Sequence, residues 1–177
     1  MISHIFREYD IRGVFPDELN EKAVYRLGRA FGTYFHENGA KGVSLGRDCR
    51  LSSPDLAEWL SRGLLKSGIR IVDVGMVPTP ILYFTLHHLH VDGGIQITGS
   101  HNPPEFNGFK ICLGHASVYG EEIQAIRKIA ESDNFRTGHG TLQESPVDEL
   151  YIQHMVQNIH PGPLAVKAVV DGGNGVA

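Results

Sequence analysis

The sequence predicts an α/β fold in which helices cover both faces of a mainly parallel mixed sheet, giving three layers. Two observations carry this prediction. Short apolar segments typical of strands alternate with segments in which apolar residues recur every three or four positions, as on one face of a helix. The 177 residues, 41% of them hydrophobic, also suffice to bury a substantial core. Such alternation is typical of parallel strands joined by helices.

The elements can be justified in order along the first 130 residues. Residues 21–35 carry apolar side chains on one helical face, and Asn20 stands in the capping position. Ser52 ahead of Pro54 is typical of the start of a second helix. The predicted elements are helix 21–35, strand 42–46, a helix from 53 to Gly68, strand 69–74, helix 81–88, strands 94–98 and 108–113, and helix 121–130.

The rest of the chain divides differently. Residues 132–146 are polar and rich in Gly, Ser and Thr, which predicts irregular chain closing a first domain, 1–146. Residues 147–159 favour a helix, and the apolar run 165–170 predicts a strand that leads into a glycine-rich turn. A strand and turn without partners suggest an opening second domain. We therefore expect 147–177 to be a linker helix and the start of that domain, in a fragment of a longer protein.

Composition excludes several classes of protein. Sixteen basic and 20 acidic residues give a net charge of −4, which argues against a general nucleic-acid binder. Only Cys49 and Cys112 occur, far apart, which indicates reduced thiols. No apolar run approaches the ~20 residues of a membrane span, and the start lacks a secretory signal. We expect a cytoplasmic protein that binds neither nucleic acid nor membrane.

The most informative segment is TGSHNPP at 98–104, followed by NGFK at 107–110. It follows a predicted strand, and ligands of open α/β sheets collect at the carboxyl ends of strands. Gly99 allows backbone angles that other residues avoid, and the two prolines stiffen the second half of the loop. The segment therefore presents the hydroxyl of Ser100 next to His101 and near Lys110.

A serine presented in this way fits two chemistries. Acyl transfer needs a histidine base, but Thr98 and Asn102 stand where a nucleophile elbow has glycine. Neighbouring side chains in extended chain also point to opposite faces. Phosphoryl transfer through a phosphoserine needs cations nearby, and basic residues in loops or near strand ends supply them: Arg7, Arg12, Arg47, Arg50 and Lys110. A third possibility is a non-catalytic module that binds phosphosugars or other anions.

These segments resemble the α-D-phosphohexomutases, most closely the bacterial phosphomannomutase/phosphoglucomutase branch. The resemblance rests on the loop 98–104 with 107–110 and on four further segments in the family's order: FREYDIRG at 6–13, GRDxR at 46–50, VGxVPTP at 74–80 and DGGNG at 171–175. It implies that residues 1–146 are the family's first domain, an α/β/α sandwich.

The resemblance also implies an activity. Phosphorylated Ser100 would donate its phosphoryl group to a hexose 1- or 6-phosphate, and the bound 1,6-bisphosphate would reorient and return the other phosphate. Tyr9, Arg12 and Lys110 would bind the substrate, and Arg12 and Lys110 would also act in catalysis. His101 would either transfer a proton or fix the loop through a hydrogen bond.

The remaining implications concern support and cofactor. Gly99, Asn102 and Arg47 would support the serine loop. An oxygen of phosphorylated Ser100 would be one Mg²⁺ ligand, with the other ligands in the part of the second domain beyond residue 177. Because the sugar-recognition and distal phosphate-binding loops also belong to later domains, we expect a hexose phosphate and those domains as partners, and an inactive isolated chain.

Overall fold

The computed structural model describes residues 3–160, 162–163 and 165–176. Within these residues a seven-stranded mixed sheet lies between two layers of helices. The strands are β1 (Ile11–Val14), β2 (Gly42–Arg47), β3 (Arg70–Met76), β4 (Gly93–Ile97), β5 (Phe106–Leu113), β6 (Ala116–Ser117) and β7 (Leu142–Glu144). Their order is β1-β5-β4-β2-β3-β7, with β6 paired to β5. The predicted α/β/α architecture is confirmed.

The helices follow the predicted bounds closely. They are α1 (Glu21–Glu37), α2 (Ser53–Lys66), α3 (Thr79–His88), α4 (Glu121–Ser132) and α5 (Asp148–Asn158). Asn20 caps α1 as predicted, because its side chain accepts a hydrogen bond from the Ala23 amide. Ser52 precedes α2 but its side chain makes no capping bond; its hydroxyl instead accepts from Asn107 on β5. Within the described residues, none of the helices has the length and apolar character needed to cross a membrane.

The direction of the strands brings the ends of five of them, β1 to β5, to one edge of the sheet. β4, β2, β3 and β7 run parallel, whereas β5 lies antiparallel between β4 and β1. The carboxyl ends of β1, β2, β3 and β4 therefore meet the beginning of β5 at the same edge. Backbone hydrogen bonds continue past the strands there, from Asp48 N to Ile97 O (2.9 Å) and from Phe15 N to Glu105 O (2.8 Å). Loops from separate parts of the chain thus converge at this edge.

Each face of the sheet has its own apolar layer. The larger core packs α1, α2 and α4 against one face, with Phe31 of α1 set edge-on to Phe109 of β5 at a ring distance of 5.9 Å. A smaller cluster on the other face includes Val72 and Leu82, with Val147 buried and Tyr151 packed at its margin. Otherwise α5 is largely exposed, and none of its own residues is buried.

Two predictions for the C-terminal part are wrong. The segment 132–146 is not wholly irregular, because it contains β7, which extends the parallel part of the sheet beside β3. The run 165–170, predicted as a buried strand, has no strand among its described residues, and Val169 is 94% exposed. A strand needs a neighbour to pair its backbone groups. The described chain offers this run no such neighbour.

The environment of His36 makes the stability of the fold depend on pH. Burial lowers the pKa of its imidazole, and the charge of Arg136 acts in the same direction. As the pH falls below about 6.5, the unfolded chain therefore takes up this proton before the folded one, and the free energy of unfolding decreases. We expect His36→Gln to flatten the fall in unfolding temperature between about pH 7 and 5.5. Thermal unfolding followed by circular dichroism would test this, with exposed His160→Gln as control; equal slopes in wild type and His36→Gln would contradict it.

Candidate active site

Ser100 lies on a short loop that leaves β4 at the edge where the strand ends converge. The residue is exposed, and its backbone has a φ of 53°, in the left-handed region. This conformation costs a non-glycine residue about 1–2 kcal/mol, so surrounding contacts must hold it. One such contact is local, since the Ser100 amide donates to the Thr98 hydroxyl at 2.9 Å.

The principal brace of this loop is Arg50, in the segment between β2 and α2. Its guanidinium donates four hydrogen bonds to backbone carbonyl oxygens of the loop. These acceptors are Pro103 O (2.7 Å), Phe106 O (2.9 Å), Ser100 O (3.1 Å) and Asn102 O (2.7 Å). The planar fork of arginine suits this multiple contact. Arg50 therefore fixes the path of the loop, and the donors used here are not free for an anion.

The carboxylate of Asp48 joins the loop to the start of α2. One oxygen accepts from the Gly99 amide at 3.1 Å and lies 3.4 Å from Arg50 Nε. The other oxygen accepts from the Ser53 hydroxyl at 2.5 Å and from the Arg50 amide at 3.1 Å. Asp48 thereby orients Arg50 and ties down the residue that precedes Ser100.

Two asparagines complete the support. Asn102, predicted as a loop-supporting residue, folds back over the loop. Its backbone N–H and its side-chain Nδ2 both donate to Gly99 O at 3.0 Å. Asn107 is fully buried at the start of β5, and its side chain donates to the hydroxyls of Ser52 and Ser53 at 2.9 and 3.0 Å. The far end of the loop is thus anchored to the same helix start that Asp48 contacts.

Gly99 does not use the unusual backbone angles that the sequence predicted for it. It has no positive φ; the unusual angle belongs to Ser100. A Cβ at Gly99 would lie 2.4 Å from Arg50 Cζ and 2.8 Å from Phe106 O. Glycine is required here because the Arg50 side chain passes directly over the backbone.

We therefore expect Gly99→Ala to displace Arg50 and loosen the loop. Overpacking of this kind costs typically ~1–3 kcal/mol, which thermal unfolding would detect. Gly162→Ala is the matched control, because a Cβ there meets no atom of the described residues within 4 Å. If both variants unfolded at the wild-type temperature, the close approach would not constrain the site.

His101 lies beside the serine hydroxyl. Its Nδ1 is 3.3 Å from Ser100 Oγ. The expectation that these neighbouring side chains point apart is wrong, because it assumed extended chain and Ser100 has a left-handed backbone. The pair therefore forms a serine–imidazole contact on the exposed side of the loop.

The predicted cations Arg12 and Lys110 come together on one face of the sheet. Arg12 on β1 is opposite Gly108 on β5, and Lys110 is two residues further along β5, so their side chains share a face. Both contact the carboxylate of Asp10, through Arg12 Nη2 and through Lys110 Nζ at 3.8 Å. These two predicted cations thus form one charged group rather than isolated surface charges.

Tyr9 lies next to that group. The residue is 72% exposed, and its ring is 6.4 Å from the ring of Tyr119. Tyr9, Lys110 and Tyr119 line a cavity of about 240 Å³ together with Tyr83 and Ser117. An aromatic wall with an ammonium group beside it suits a ligand that combines a ring with an anion.

A larger cavity, of about 900 Å³, lies in front of the serine loop. Its lining includes Ser100, Arg50, Gln96 and Pro78, and Asn174 near the end of the described chain. The volume is within the range usual for small-molecule sites. Ser100 is on this cavity and Lys110 is on the smaller one. The predicted site residues therefore form two neighbouring groups.

Arg47 differs from the other predicted loop-supporting residues. Its Nη1 donates to Asp73 on β3 at 3.4 Å, whereas the arginine hydrogen bonds to the serine loop come from Arg50. Asp48, Arg50 and Asn107 were not selected from the sequence as supporting residues. The D-x-R spacing directly after a predicted strand was the signal that could have pointed to the first two.

The described residues contain no cluster of three or more His, Cys, Asp or Glu side chains suited to a metal ion. Ser100, if phosphorylated, would supply one oxygen ligand, which is short of the coordination that Mg²⁺ requires. The described residues therefore do not make up a Mg²⁺ site by themselves.

The comparisons with known proteins all match phosphoglucomutases and phosphomannomutases. A family model described as phosphoglucomutase/phosphomannomutase, alpha/beta/alpha domain I, matches residues 3–137. A phosphomannomutase/phosphoglucomutase of Pseudomonas aeruginosa PAO1 is 42% identical over 173 residues, covering 98% of this chain and 37% of that protein. A phosphoglucomutase of Neisseria gonorrhoeae is 42% identical over 174 residues, covering 97% of this chain and 38% of that protein.

Solved structures give the same result. The crystal structure of a phosphoglucomutase/phosphomannomutase family protein from Burkholderia thailandensis matches with a TM-score of 0.86 at 42% identity, over 90% of this chain and 37% of that one. A phosphomannomutase structure described as putative, from Thermus thermophilus, matches with a TM-score of 0.78 at 30% identity, over 88% of this chain and 36% of that one. The chain thus spans somewhat more than a third of the length of the relatives it matches.

Proposed function

Because the chain belongs to the phosphoglucomutase/phosphomannomutase family, we propose that it forms the phosphoserine domain of a phosphohexomutase, which interconverts hexose 1-phosphate and hexose 6-phosphate. The single observation that carries this proposal is the exposed Ser100 on a loop that Arg50 and Asp48 hold rigid. The hexose is mannose or glucose, the substrates that the relatives' names give.

The proposed reaction consists of two phosphoryl transfers. In the first, the Oγ–P bond of phosphorylated Ser100 breaks as a hydroxyl oxygen of the hexose phosphate bonds to phosphorus. The hydroxyl proton passes to a base, Ser100 Oγ takes up a proton as it leaves phosphorus, and the product is a bound 1,6-bisphosphate. After this intermediate reorients, its other phosphate returns to Ser100 Oγ and the isomeric monophosphate leaves. Since little covalent chemistry falls to the protein, positioning and charge neutralisation carry the catalysis.

Particular side chains are proposed for these tasks. His101, whose Nδ1 is 3.3 Å from Ser100 Oγ, takes and returns the proton; the alternative is that it only fixes the loop by this contact. Arg12 and Lys110 attract the phosphate of the substrate and offset charge during transfer, and Tyr9 contacts the sugar. Gly99 and Asn102 support the loop. Arg47, bonded to Asp73, would support it only through the neighbouring strand.

The cofactor belongs to the proposal as well. We propose that Mg²⁺ binds phosphorylated Ser100 in the active protein, where it would neutralise charge on the transferring phosphoryl group. The described residues supply only this one ligand, so the others must come from the further length that the relatives have.

The proposal also includes the domain boundary, the partners and the cellular compartment. Residues 1–146 form the first domain, because the larger core lies within them and α5 buries none of its own residues. Residues 147–177 form the connection to a second domain. The other partners are a hexose phosphate and the domains that follow. Both Cys49 and Cys112 are free thiols, which suits the cytoplasm.

The test uses this chain within a protein of the relatives' full length. Incubation with a hexose 1,6-bisphosphate should add one phosphoryl group, which tandem mass spectrometry should locate on Ser100. Phosphorus NMR should show hexose 1-phosphate converting to hexose 6-phosphate, and the 177-residue chain alone should show no turnover. An unphosphorylated Ser100 that instead reacts with a fluorophosphonate probe would favour a serine hydrolase. Binding of phosphosugar without turnover in the longer protein would favour an anion-binding module.

A further inference from the structure

Asp10 lies within the segment FREYDIRG, where the sequence assigned it no role, and its carboxylate lies between the two cations of the proposed site. The residue is 8% exposed, immediately before β1. Its Oδ2 contacts Arg12 Nη2 and lies 3.8 Å from Lys110 Nζ. One buried oxygen therefore serves two cationic side chains from different strands.

The two cations retain donors that Asp10 does not use. Arg12 is 8% exposed, and within the described residues its buried Nε has no hydrogen-bond partner. Lys110 is only partly buried, and its side chain reaches the cavity that Tyr9 and Tyr119 line. Lys110 Nζ carries three N–H groups and lies 3.8 Å from one carboxylate oxygen of Asp10, so it still has donors for an oxyanion in that cavity.

Holding two like charges side by side requires a counter-charge between them. Without Asp10, Arg12 and Lys110 would repel each other, and the more exposed Lys110 side chain would swing towards solvent. With Asp10 present, both remain on the same face of the sheet, and the group keeps a net positive charge. The carboxylate thus fixes the geometry of the cations without cancelling their attraction for an anion.

We propose that Asp10 is a positioning residue for phosphoryl transfer, holding Arg12 and Lys110 together so that both positive charges act on the same phosphate group. Asp10 itself does not touch the substrate. The inference rests on the proposed function and adds to it a carboxylate whose effect passes through two other side chains.

The test begins with Asp10→Asn in a protein of the relatives' full length. Asparagine has the same shape and still accepts a hydrogen bond, but it removes the counter-charge. We expect kcat to fall by about tenfold or more and KM to change by less than about threefold. The change in KM is small because losing the fixed position of Lys110 weakens binding of the anionic substrate, whereas losing the negative charge of Asp10 strengthens it. A kcat within about twofold of wild type would overturn the proposal.

A double-mutant cycle separates positioning from general damage. In a Lys110→Met background, Asp10→Asn should lower kcat by less than about threefold, because one of the two cations it positions is already absent. If the double variant lowered kcat by the full product of the two single effects, the proposal would be overturned. Unfolding temperatures are measured for every variant. If Asp10→Asn does not fold, Asp10→Glu carries the test, since it keeps the charge but moves it by one methylene, and it too should lower kcat.

A Ser100→Ala variant measured alongside the Asp10 variants distinguishes failure of this inference from failure of the proposed function. If Ser100→Ala were as active as wild type, the phosphoserine mechanism itself would be refuted. If Ser100→Ala were inactive and Asp10→Asn nevertheless fully active, only the role of Asp10 would fall.

Discussion

Ser100→Ala is expected to lower the rate of hexose-phosphate interconversion by roughly 10³-fold or more. Alanine offers no oxygen to accept the phosphoryl group, so both half-reactions lose their carrier. The loop itself should persist, because Ser100 contributes its backbone amide to the bond with Thr98 and its carbonyl to the bond with Arg50. Phosphorus NMR of turnover and the intact mass after treatment with bisphosphate measure the two consequences separately.

Ser145→Ala provides the matched control for this experiment. Ser145 follows β7, where its backbone amide donates to Asp73 O at 2.8 Å, and the site described above does not use its hydroxyl. This variant should be phosphorylated and turn over like wild type. A phosphoryl group that still attached to Ser100→Ala with undiminished turnover would assign the carrier to another residue.

Arg50→Lys should unfold at a lower temperature and lose most activity, although the charge is kept. An ammonium group cannot replace a planar fork that donates to four carbonyls. With carbonyl acceptors left unpaired, we expect a loss of about 2–4 kcal/mol in the free energy of unfolding, or roughly 5–15 °C in unfolding temperature. Hydrogen exchange should rise across residues 99–106, and turnover should fall by about 10²-fold because the serine is no longer fixed.

The control for this substitution is Arg62→Lys on α2. Arg62 pairs with Glu21 at 2.7 Å, and about half of each side chain is exposed, so the exchange should cost little. If Arg50→Lys behaved like Arg62→Lys in stability and in exchange, the four hydrogen bonds would not define the loop. Thermal unfolding and exchange measured side by side decide this without any assay of activity.

Local sequence patterns were sufficient to predict the five helices and four of the seven described strands, whereas β1, β6 and β7 were not predicted. The apolar stripe of α1 and its Asn20 cap depend on residues three or four positions apart, and such spacing is visible in any single sequence. Strand β7 escaped prediction because Leu142, Gln143 and Glu144 are all exposed at the sheet edge and carry no alternation. Its pairing with β3 is set by tertiary position, which composition does not reveal.

Ser100 and the residues that hold its loop also differ in how far they could be predicted from the sequence. Ser100, His101 and Lys110 could be selected because they are close in sequence around one distinctive loop. Arg50 is 50 residues away from Ser100, and only the parallel pairing of β2 with β4 brings it to the loop. From the sequence alone, Arg50 was counted among the cations near phosphate. The structure shows instead that its donors are bonded to carbonyl groups.

The left-handed backbone at Ser100 restricts which alcohol can serve at this position. A branched Cβ is strongly disfavoured at a φ of 53°. Threonine would therefore carry an equivalent hydroxyl yet force the turn out of shape, so the site discriminates between two side chains of nearly the same reactivity by conformation alone. A secondary alcohol is unavailable to this turn for a reason unrelated to its chemistry.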